Sequence, residues 1–358
     1  MHLKRLQITD FRNIKNAELN PVAGVNLITG QNASGKTSLL EAIYYLSHVR
    51  SFRSQQVADL INRDADYLQL VAHIEQSNNE MQVGMRRSKT RMQIRCNQQP
   101  VRRVADLAAS FPVLAIHPDS YRLITGSPAE RRQYLDWGVF HVEQGFFDAW
   151  QRYRKALSQR NAALRQKQAE KFCILWDREI SASANHIDTL RQAYYDKLLP
   201  YFDQLVSRFF ANEEVVIEYR RGWGRDKSLI ELLATNFEKD RRQGFTYSGP
   251  HRAEIVIKVQ GQSAQTGISR GQQKLLVALL RLAQAQQFTA MKQQSCVLLY
   301  DDLAAELDEK NRGLILAVLS NMRVQLFVTA IEAGQIDLTP WQHKKMFHVE
   351  QGRLKDLI

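Results

Sequence analysis

Apolar residues near the N-terminus occur in short groups separated by turn residues, a pattern that predicts strands. Leu3, Leu6 and Ile8 precede a turn at 10–13, and the largely apolar run 25–29 stops at the first glycine of a loop. Beyond the loop, apolar residues recur at helical spacing, at Leu39, Leu40, Ile43, Leu46 and Val49. This part of the chain is therefore predicted as strands, a glycine loop and a helix.

Residues 67–104 show the alternation of an antiparallel sheet. Apolar and polar residues alternate over 81–85 and again over 92–96, and 88–90 is predicted as the turn between them. The two stretches together predict a β-hairpin.

The middle of the chain is predicted to be helical. From 146 to 221 there is no glycine, and Pro200 is the only proline. Helices are expected over roughly 128–143, 146–168 and 170–210, and the first begins with a capping box that carries proline at its first helical position. Charged residues, Arg160 among them, are spread around these helices, and without sustained heptads no long coiled coil is expected.

The C-terminal part returns to an α/β pattern. Helices are predicted over 269–287 and 309–322, and buried strands over 296–300, 324–329 and 346–349.

The balance of charge indicates an anionic partner. The 358 residues carry a formal net charge of +12, which is typical of chains that bind DNA, RNA or an anionic membrane surface, although solvated Lys and Arg alone also give such an excess. No run approaches the ~20 apolar residues of a membrane helix, and the N-terminus lacks an apolar signal segment. The three cysteines are far apart, so no disulfide framework or metal cluster is expected. These features predict a cytoplasmic protein that does not contact membranes.

The predicted hairpin concentrates positive charge. No acidic residue occurs between Glu80 and Asp106. The candidates for contacts with DNA phosphates are Arg86, Arg87, Lys89, Arg91 and Arg95. An ordinary charged, solvent-facing surface is the alternative interpretation.

A glycine-rich loop carries the clearest chemistry. The residues Gly30, Gln31, Asn32, Ala33, Ser34, Gly35, Lys36 and Thr37 fit the pattern G-x-x-x-x-G-K-[ST]. The glycines let backbone N–H groups curl around a phosphate, and the following helix directs its positive end at the anion. Lys36 is predicted to reach the β- and γ-phosphates of ATP, and Thr37 to bind Mg²⁺. An ordinary glycine turn is the alternative.

The acids needed for hydrolysis follow a predicted strand at the far end of the chain. Asp301 is the candidate that holds Mg²⁺ through water, and Asp302 the candidate catalytic residue that orients the attacking water. Such a site requires an ATPase domain that is split in sequence. We therefore expect the N-terminal part of that domain at 1–115, a mainly helical insert at 116–245 and the C-terminal part at 246–358.

A second anion site is predicted where the helix at 269–287 begins. Ser269 and Gly271 stand at its N-terminus, where they would meet the ATP of another subunit. A simple N-cap serine is the alternative. Thr329 ends the next predicted strand, where a γ-phosphate sensor is expected.

Taken together, these segments resemble the ABC-type ATPases and, among them, the group related to SMC proteins. Phe11-Arg12-Asn13, the loop at 30–37, the signature-like 269–274 and the acidic segment 301–308 occur in the order typical of that group. Three further segments resemble the RecF family of bacterial recombination mediators more specifically, and the match extends over essentially the whole chain. They are His117-Pro118-Asp119, Gly126-Ser127-Pro128-Ala129-Glu130-Arg131-Arg132 and Tyr247-Ser248-Gly249-Pro250-His251-Arg252.

The resemblance implies an α/β fold. It comprises an ABC/SMC-head-like P-loop ATPase domain, an antiparallel β subdomain and an inserted helical domain. By position, Arg12 and Asn13 would lie near the nucleotide, Ser269 would touch the γ-phosphate of the partner's ATP, and His117 would begin the Q-loop.

The resemblance also implies function. It predicts ATP-driven homodimerisation and sequence-independent binding to single-stranded or gapped duplex DNA. It further predicts recombinase loading with RecO and RecR in gap repair, replication restart and the SOS response.

Two departures from the wider ABC pattern predict slow ATP hydrolysis. Asp302 replaces the usual glutamate, and Thr329 replaces the usual switch histidine. An ABC transporter subunit and an SMC-type chromosome scaffold are the alternatives. The Leu-Ser-Gly-Gly-Gln signature of a transporter subunit is absent from this sequence. The long coiled coil of an SMC-type scaffold is absent as well.

Overall fold

The computed structural model describes residues 1–76 and 79–357. The strands are β1 His2–Phe11, β2 Ile14–Leu19, β3 Val25–Thr29, β4 Tyr67–Gln76, β5 Asn79–Ser88, β6 Met92–Cys96, β7 Gln99–Pro100, β8 Val113–Ile116, β9 Val215–Arg220, β10 Glu254–Val259, β11 Gln262–Ser263, β12 Val297–Tyr300, β13 Gln325–Ala330, β14 Lys344–Glu350 and β15 Arg353–Asp356. The helices are α1 Lys36–His48, α2 Val104–Ser110, α3 Arg122–Thr125, α4 Pro128–Val142, α5 Phe146–Arg165, α6 Glu170–Phe209, α7 Leu229–Thr235, α8 Phe237–Gln243, α9 Ala264–Gly267, α10 Arg270–Lys292, α11 Leu303–Glu306 and α12 Glu309–Ser320. None of the helices in the described part of the chain combines the length and apolarity needed to cross a bilayer.

The chain divides into two compact units. The first comprises residues 1–120 and 274–358, and the second comprises 121–273. Residues 246–273, which we expected in the C-terminal part of the ATPase domain, therefore lie in the second unit. The reason is that β10 pairs antiparallel with β9, from Glu254 opposite Arg220 to Val259 opposite Val215.

The first unit contains two six-stranded sheets. One is antiparallel with the order β2-β1-β4-β5-β6-β7, and the other has the order β15-β14-β3-β13-β12-β8. In the second sheet all strands from β14 to β8 are parallel, and β15 alone pairs antiparallel. Side chains of both sheets and of α1 share one hydrophobic core. Because α1 is buried around most of its circumference, it sits between the sheets and holds the preceding loop in place.

The second unit is mainly helical. The predicted helices at 128–143, 146–168 and 170–210 are confirmed as α4, α5 and α6, and Pro200 is accommodated inside α6. A three-stranded sheet with the order β11-β10-β9 accompanies them. Arg160, one of the charged residues noted around these helices, is fully buried.

Candidate nucleotide site

The glycine loop joins β3 to α1 in the first unit, as predicted from the hydrophobic pattern. All five residues of β3 are buried, and α1 begins at Lys36. Gly30 has φ of +148°, and a Cβ there would lie 2.3 Å from the carbonyl oxygen of Val349. Only glycine fits this close backbone approach. The loop therefore lies at the N-terminus of a buried helix, where free N–H groups favour an anion.

Lys36 is buried at the base of the loop, where it bonds to backbone oxygens. Its ammonium donates to the carbonyl oxygens of Gly30 at 2.7 Å and Gln31 at 3.1 Å. Within the described residues, no carboxylate forms an ion pair with it, although it is only 5% exposed. A buried cation held by neutral oxygens is suited to receive an anionic ligand, since its charge is not compensated within the site.

Thr37 and Asp301 meet although they lie 264 residues apart in the sequence. The Thr37 hydroxyl donates to the Asp301 carboxylate, with 2.9 Å to Oδ2 and 3.2 Å to Oδ1. The contact arises because β3, β13 and β12 are parallel neighbours, so their carboxyl ends lie at one edge of the sheet. The sequence placed both residues in one site, and the structure brings them into contact.

The Asp301 carboxylate is 2% exposed, and burial raises its pKa to about 6. The nearby negative charge of Asp302 also raises this pKa, whereas hydrogen bonds from Thr329 and Thr37 oppose the shift. The Thr329 hydroxyl donates to Asp301 Oδ1 at 2.8 Å. A buried carboxylate bonded to two hydroxyls, with no cation bonded to it among the described residues, is suited to a divalent cation.

Asp302 adopts a left-handed backbone conformation with φ of +54°. Its N–H donates to the Thr329 hydroxyl at 2.7 Å, so Thr329 bridges the two acids. Asp and Asn tolerate this conformation better than longer side chains. The backbone thus offers a reason for aspartate where the wider ABC pattern has glutamate.

Asn13 and Arg12 differ in their relation to the loop. The Asn13 amide donates to Ala33 O at 3.4 Å and accepts from the Ser38 hydroxyl at 2.8 Å. Arg12 instead makes a bidentate ion pair with the buried Glu41, at 2.7 and 2.9 Å. Sequence reasoning missed Glu41. An acidic residue on the apolar face of α1 indicates that the acid has a buried partner, and this signal could have identified Glu41.

His117 follows β8, the strand that neighbours β12. The Asp301 N–H donates to Ile116 O at 2.8 Å, so the segment predicted as the Q-loop begins beside the acid pair. The His117 ring stacks on Phe52 with centroids 4.6 Å apart. Burial lowers the His117 pKa to about 3, which keeps the ring neutral at physiological pH.

Ser269 and Gly271 lie in the second unit, and both are exposed. The Ser269 hydroxyl accepts from Gln272 N at 3.2 Å, while the Gln272 side chain accepts from Ser269 N at 3.0 Å. Ser269 therefore has the geometry of an N-cap within its own chain. Its contact with a second subunit stays a prediction.

The predicted basic hairpin is confirmed as β5 and β6. The exposed cations among the five DNA candidates are Arg86, Lys89, Arg91 and Arg95. Arg86 and Arg95 lie on the outward face of the sheet, opposite Gln93 and Gly84 respectively, and Arg86 stands 3.6 Å above the ring of Tyr67. Arg87 belongs to the opposite face and is partly buried.

The residues present fit a nucleotide with Mg²⁺. The hydroxyl of Thr37 and the carboxylate of Asp301 supply the oxygen ligands that Mg²⁺ prefers, and both lie beside the loop. Ser34 adds a buried hydroxyl that has no hydrogen-bond partner among the described residues. A polar atom in that situation is typical of a site that is completed by a ligand.

Comparisons with known proteins agree with this geometry. The family model for the RecF/RecN/SMC N terminal domain matches residues 2–355. The chain is 40% identical over 357 residues to the DNA replication and repair protein RecF of Thioalkalivibrio sulfidiphilus, covering 99% of each chain. It is 42% identical over 356 residues to the protein of the same name from Erwinia tasmaniensis, covering 99% of this chain and 98% of the relative.

Solved structures extend the agreement to the fold. The chain is similar to the recombination mediator protein RecF with ATP in the RecFOR pathway, with a TM-score of 0.88 and 26% identity over 100% of this chain and 98% of the other. An SMC head bound to the C-winged helix domain of ScpA has a TM-score of 0.59 at 15% identity, over 100% of this chain and 97% of the other, which is a likeness of fold alone. The predicted ABC/SMC-head-like fold is confirmed. The chain belongs to the RecF family of DNA replication and repair proteins.

Proposed function

We propose that this protein is an ATP-dependent switch that closes into a homodimer on DNA during recombinational repair and replication restart. The observation that carries the proposal is the contact between Thr37 and Asp301, which joins the phosphate loop to the distant acid pair. It is supported by the 42% identity to a DNA replication and repair protein.

Each residue of the site has a role in this proposal. Lys36 turns from the loop carbonyls to the phosphates, and Thr37 and Asp301 hold Mg²⁺. The ion, when bound, offsets the negative charge of the phosphate oxygens. Asp302 orients and deprotonates the attacking water. Its short side chain supports slow hydrolysis, below about 10 s⁻¹, a typical value for enzymes.

The second half of the site comes from another copy of the chain. Ser269 and Gly271 stand exposed at the start of α10, whose N–H groups favour an anion. We propose that they meet the γ-phosphate of ATP bound to the partner. Bound ATP then links two subunits, and hydrolysis releases them.

The dimer contacts the phosphate backbone of DNA. The exposed cations of the β5–β6 hairpin support phosphate contacts without reading of base sequence, on single-stranded or gapped duplex DNA. Membership of the RecF family supports RecO and RecR as partners in recombinase loading, gap repair and SOS induction in the cytoplasm.

The test compares size with and without ATP and Mg²⁺ by chromatography with light scattering. Wild type should become a dimer, Ser269→Arg should bind ATP and stay monomeric, and Lys36→Met should lose about 10- to 100-fold in ATP affinity. The matched control is Lys4→Met, because Lys4 lies on β1 and pairs with Glu75 and Glu80.

A wild type that binds ATP but stays monomeric would overturn the dimer. In a second experiment, binding to a gapped duplex is compared with binding to the separate pieces of that duplex. The proposal requires that the protein bind the gapped duplex more tightly when ATP is present. Equal affinity with and without ATP would argue against a switch.

A further inference from the structure

A cleft of about 900 Å³ opens in the second unit. Its wall includes the segment 218–225, part of α7 and α8, and Tyr247, Ser248 and Arg252. The last three belong to the segment 247–252, which resembles the RecF family specifically. This segment has no role in the ATP site described above.

The charges of this cleft are unevenly paired. Its two acids are neutralised, since Glu218 pairs with Arg220 at 2.9 Å and Glu254 pairs with Arg131 at 2.7 Å. Three cations of the wall are exposed and have no carboxylate partner among the described residues. They are Arg225, Lys239 and Arg252. The cleft therefore presents uncompensated positive charge, which favours an anionic ligand.

Aromatic rings stand among these cations. The Lys239 ammonium lies 4.1 Å and the Arg252 guanidinium 5.4 Å from the ring centre of Tyr247. The guanidinium of Arg221 lies 4.6 Å from the ring of Trp223. Tyr247 is 49% exposed, a large fraction for an aromatic side chain. Cations interleaved with exposed rings are typical of surfaces that bind unpaired nucleotides.

The loop that carries Tyr247 and Arg252 is held by buried arginines. Arg160 donates to the Thr246 hydroxyl at 2.8 Å and to Asp240 at 2.7 Å, and Asp240 accepts from Tyr247 N at 3.1 Å. Arg191 donates to the carbonyl of Pro250 at 2.9 Å. The cleft is thus preorganised, which lowers the entropic cost of binding.

The opposite wall is fixed through its backbone. Gly222 has φ of +98°, its carbonyl accepts from Gly249 N at 3.2 Å, and a Cβ at Gly222 would lie 2.3 Å from Gly249 O. The two glycines hold the segments of Trp223 and Tyr247 side by side.

We propose that this cleft binds single-stranded DNA, with the phosphates at Lys239, Arg252 and Arg225 and a base against the exposed ring of Tyr247. A volume of about 900 Å³ has room for a short stretch of single strand, whose unpaired bases can reach the exposed ring. The inference rests on the proposed action on DNA and adds a strand-specific site distinct from the β5–β6 hairpin.

The experiment measures binding of a fluorescent oligothymidylate by the full chain across a salt series, beside a duplex of equal length. The double variant Lys239→Gln/Arg252→Gln should bind the oligothymidylate on the order of tenfold more weakly. Its log–log salt slope should be smaller by about 0.7 for each phosphate that the variant no longer neutralises. Tyr247→Leu should weaken binding about tenfold and leave the slope unchanged, because stacking contributes without ion release.

The matched control is Arg242→Gln, an exposed arginine of α8 outside the cleft, which should bind as wild type. ATP affinity and ATP-driven dimerisation are measured on every variant and should not change. The inference is overturned if the oligothymidylate fails to bind wild type, if Arg242→Gln weakens binding as much as the double variant, or if Tyr247→Leu has no effect. Loss of ATP-driven dimerisation in wild type would instead refute the proposed function while leaving oligothymidylate binding as a separate readout.

Discussion

The two units differ in the groups to which their buried charges bond. In the first, Lys36 bonds among the described residues to two carbonyl oxygens, and Asp301 accepts bonds from two side-chain hydroxyls. In the second, Arg160 is also buried but pairs with Asp177 and Asp240, both at 2.7 Å.

This difference distinguishes buried charges that serve ligand binding from buried charges that stabilise the fold. A buried charge with an ionic partner is already compensated, so removing one member leaves the other unpaired and destabilises the fold. A buried charge that touches only neutral groups carries a desolvation cost that a ligand can offset. We therefore expect neutralisation of the site charges to change function, and neutralisation of Arg160 to change folding.

The largest effect is expected for Asp302→Asn. Steady-state ATP hydrolysis should fall by about 10²- to 10⁴-fold, because the water loses its general base. Asparagine tolerates the left-handed conformation of residue 302, so the midpoint of thermal unfolding and the ATP affinity should stay near wild type. An unchanged rate would remove Asp302 from catalysis.

The next effect is expected for Arg160→Met. It leaves two buried carboxylates without their partner and should lower the free energy of unfolding by about 3–5 kcal/mol. Urea titration measures the change. Arg152→Met is the control on the same helix, because Arg152 is exposed and its 3.4 Å ion pair with Glu179 should contribute less than about 1 kcal/mol. Equal losses would mean that burial does not distinguish the two arginines.

A smaller effect, with a defined pH dependence, is expected for Asp301→Asn in metal-free protein. The pKa of Asp301 is raised in the fold from 3.8 to about 6, so its stabilising contribution is complete below 3.8 and is lost as pH rises through about 6. Asp301→Asn should therefore be more stable than wild type at pH 7.5, by up to about 3 kcal/mol, and lose most of this advantage near pH 4.

The comparison of the two pH curves isolates Asp301. Burial lowers the pKa of His48 and His117, and both histidines contribute to each curve alike. Mg²⁺ should stabilise wild type above pH 6 and not the variant. A constant stability difference across this range would contradict the assigned shift.

The smallest effect is expected on the β5–β6 hairpin. Arg86→Gln and Arg95→Gln should each weaken duplex binding by about 2- to 5-fold and reduce the salt slope by about 0.9. Arg5→Gln is the control on the same outward face, because Arg5 pairs with Glu18 at 2.7 Å. In the described part of the chain, Arg86 and Arg95 form no ion pair; if Arg5→Gln weakens binding equally, this difference does not identify a DNA contact.

The sequence predicted those parts of the site that follow from local pattern. The strand, the loop at 30–37 and the buried helix are contiguous, so periodicity and glycine spacing were sufficient. Asp301 was found because Mg²⁺ chemistry requires an acid at a strand end. Thr329 was expected as a sensor, but its contacts to both acids depend on strand neighbours that lie far apart in sequence.

Sequence reasoning failed where partners converge from several elements. Arg160 was named only as one of the charges spread around the helices. Its burial could not be foreseen, because its partners Asp177, Asp240 and Thr246 are 17, 80 and 86 residues away. The segment 247–252 was recognised only through resemblance. Its position in a concave surface depends on the pairing of β9 with β10, which no local pattern predicts.

The measurement that tests the two-chain site most directly is ATP hydrolysis by a mixture of Lys36→Met and Ser269→Arg. Each variant alone should be inactive, because Ser269→Arg binds ATP but stays monomeric, and Lys36→Met binds ATP too weakly to dimerise with it. In the mixed dimer one site combines Lys36 of one chain with Ser269 of the other, so we expect hydrolysis to reappear on mixing. A mixture as inactive as its components, or full activity of Ser269→Arg alone, would contradict a site completed by a second copy.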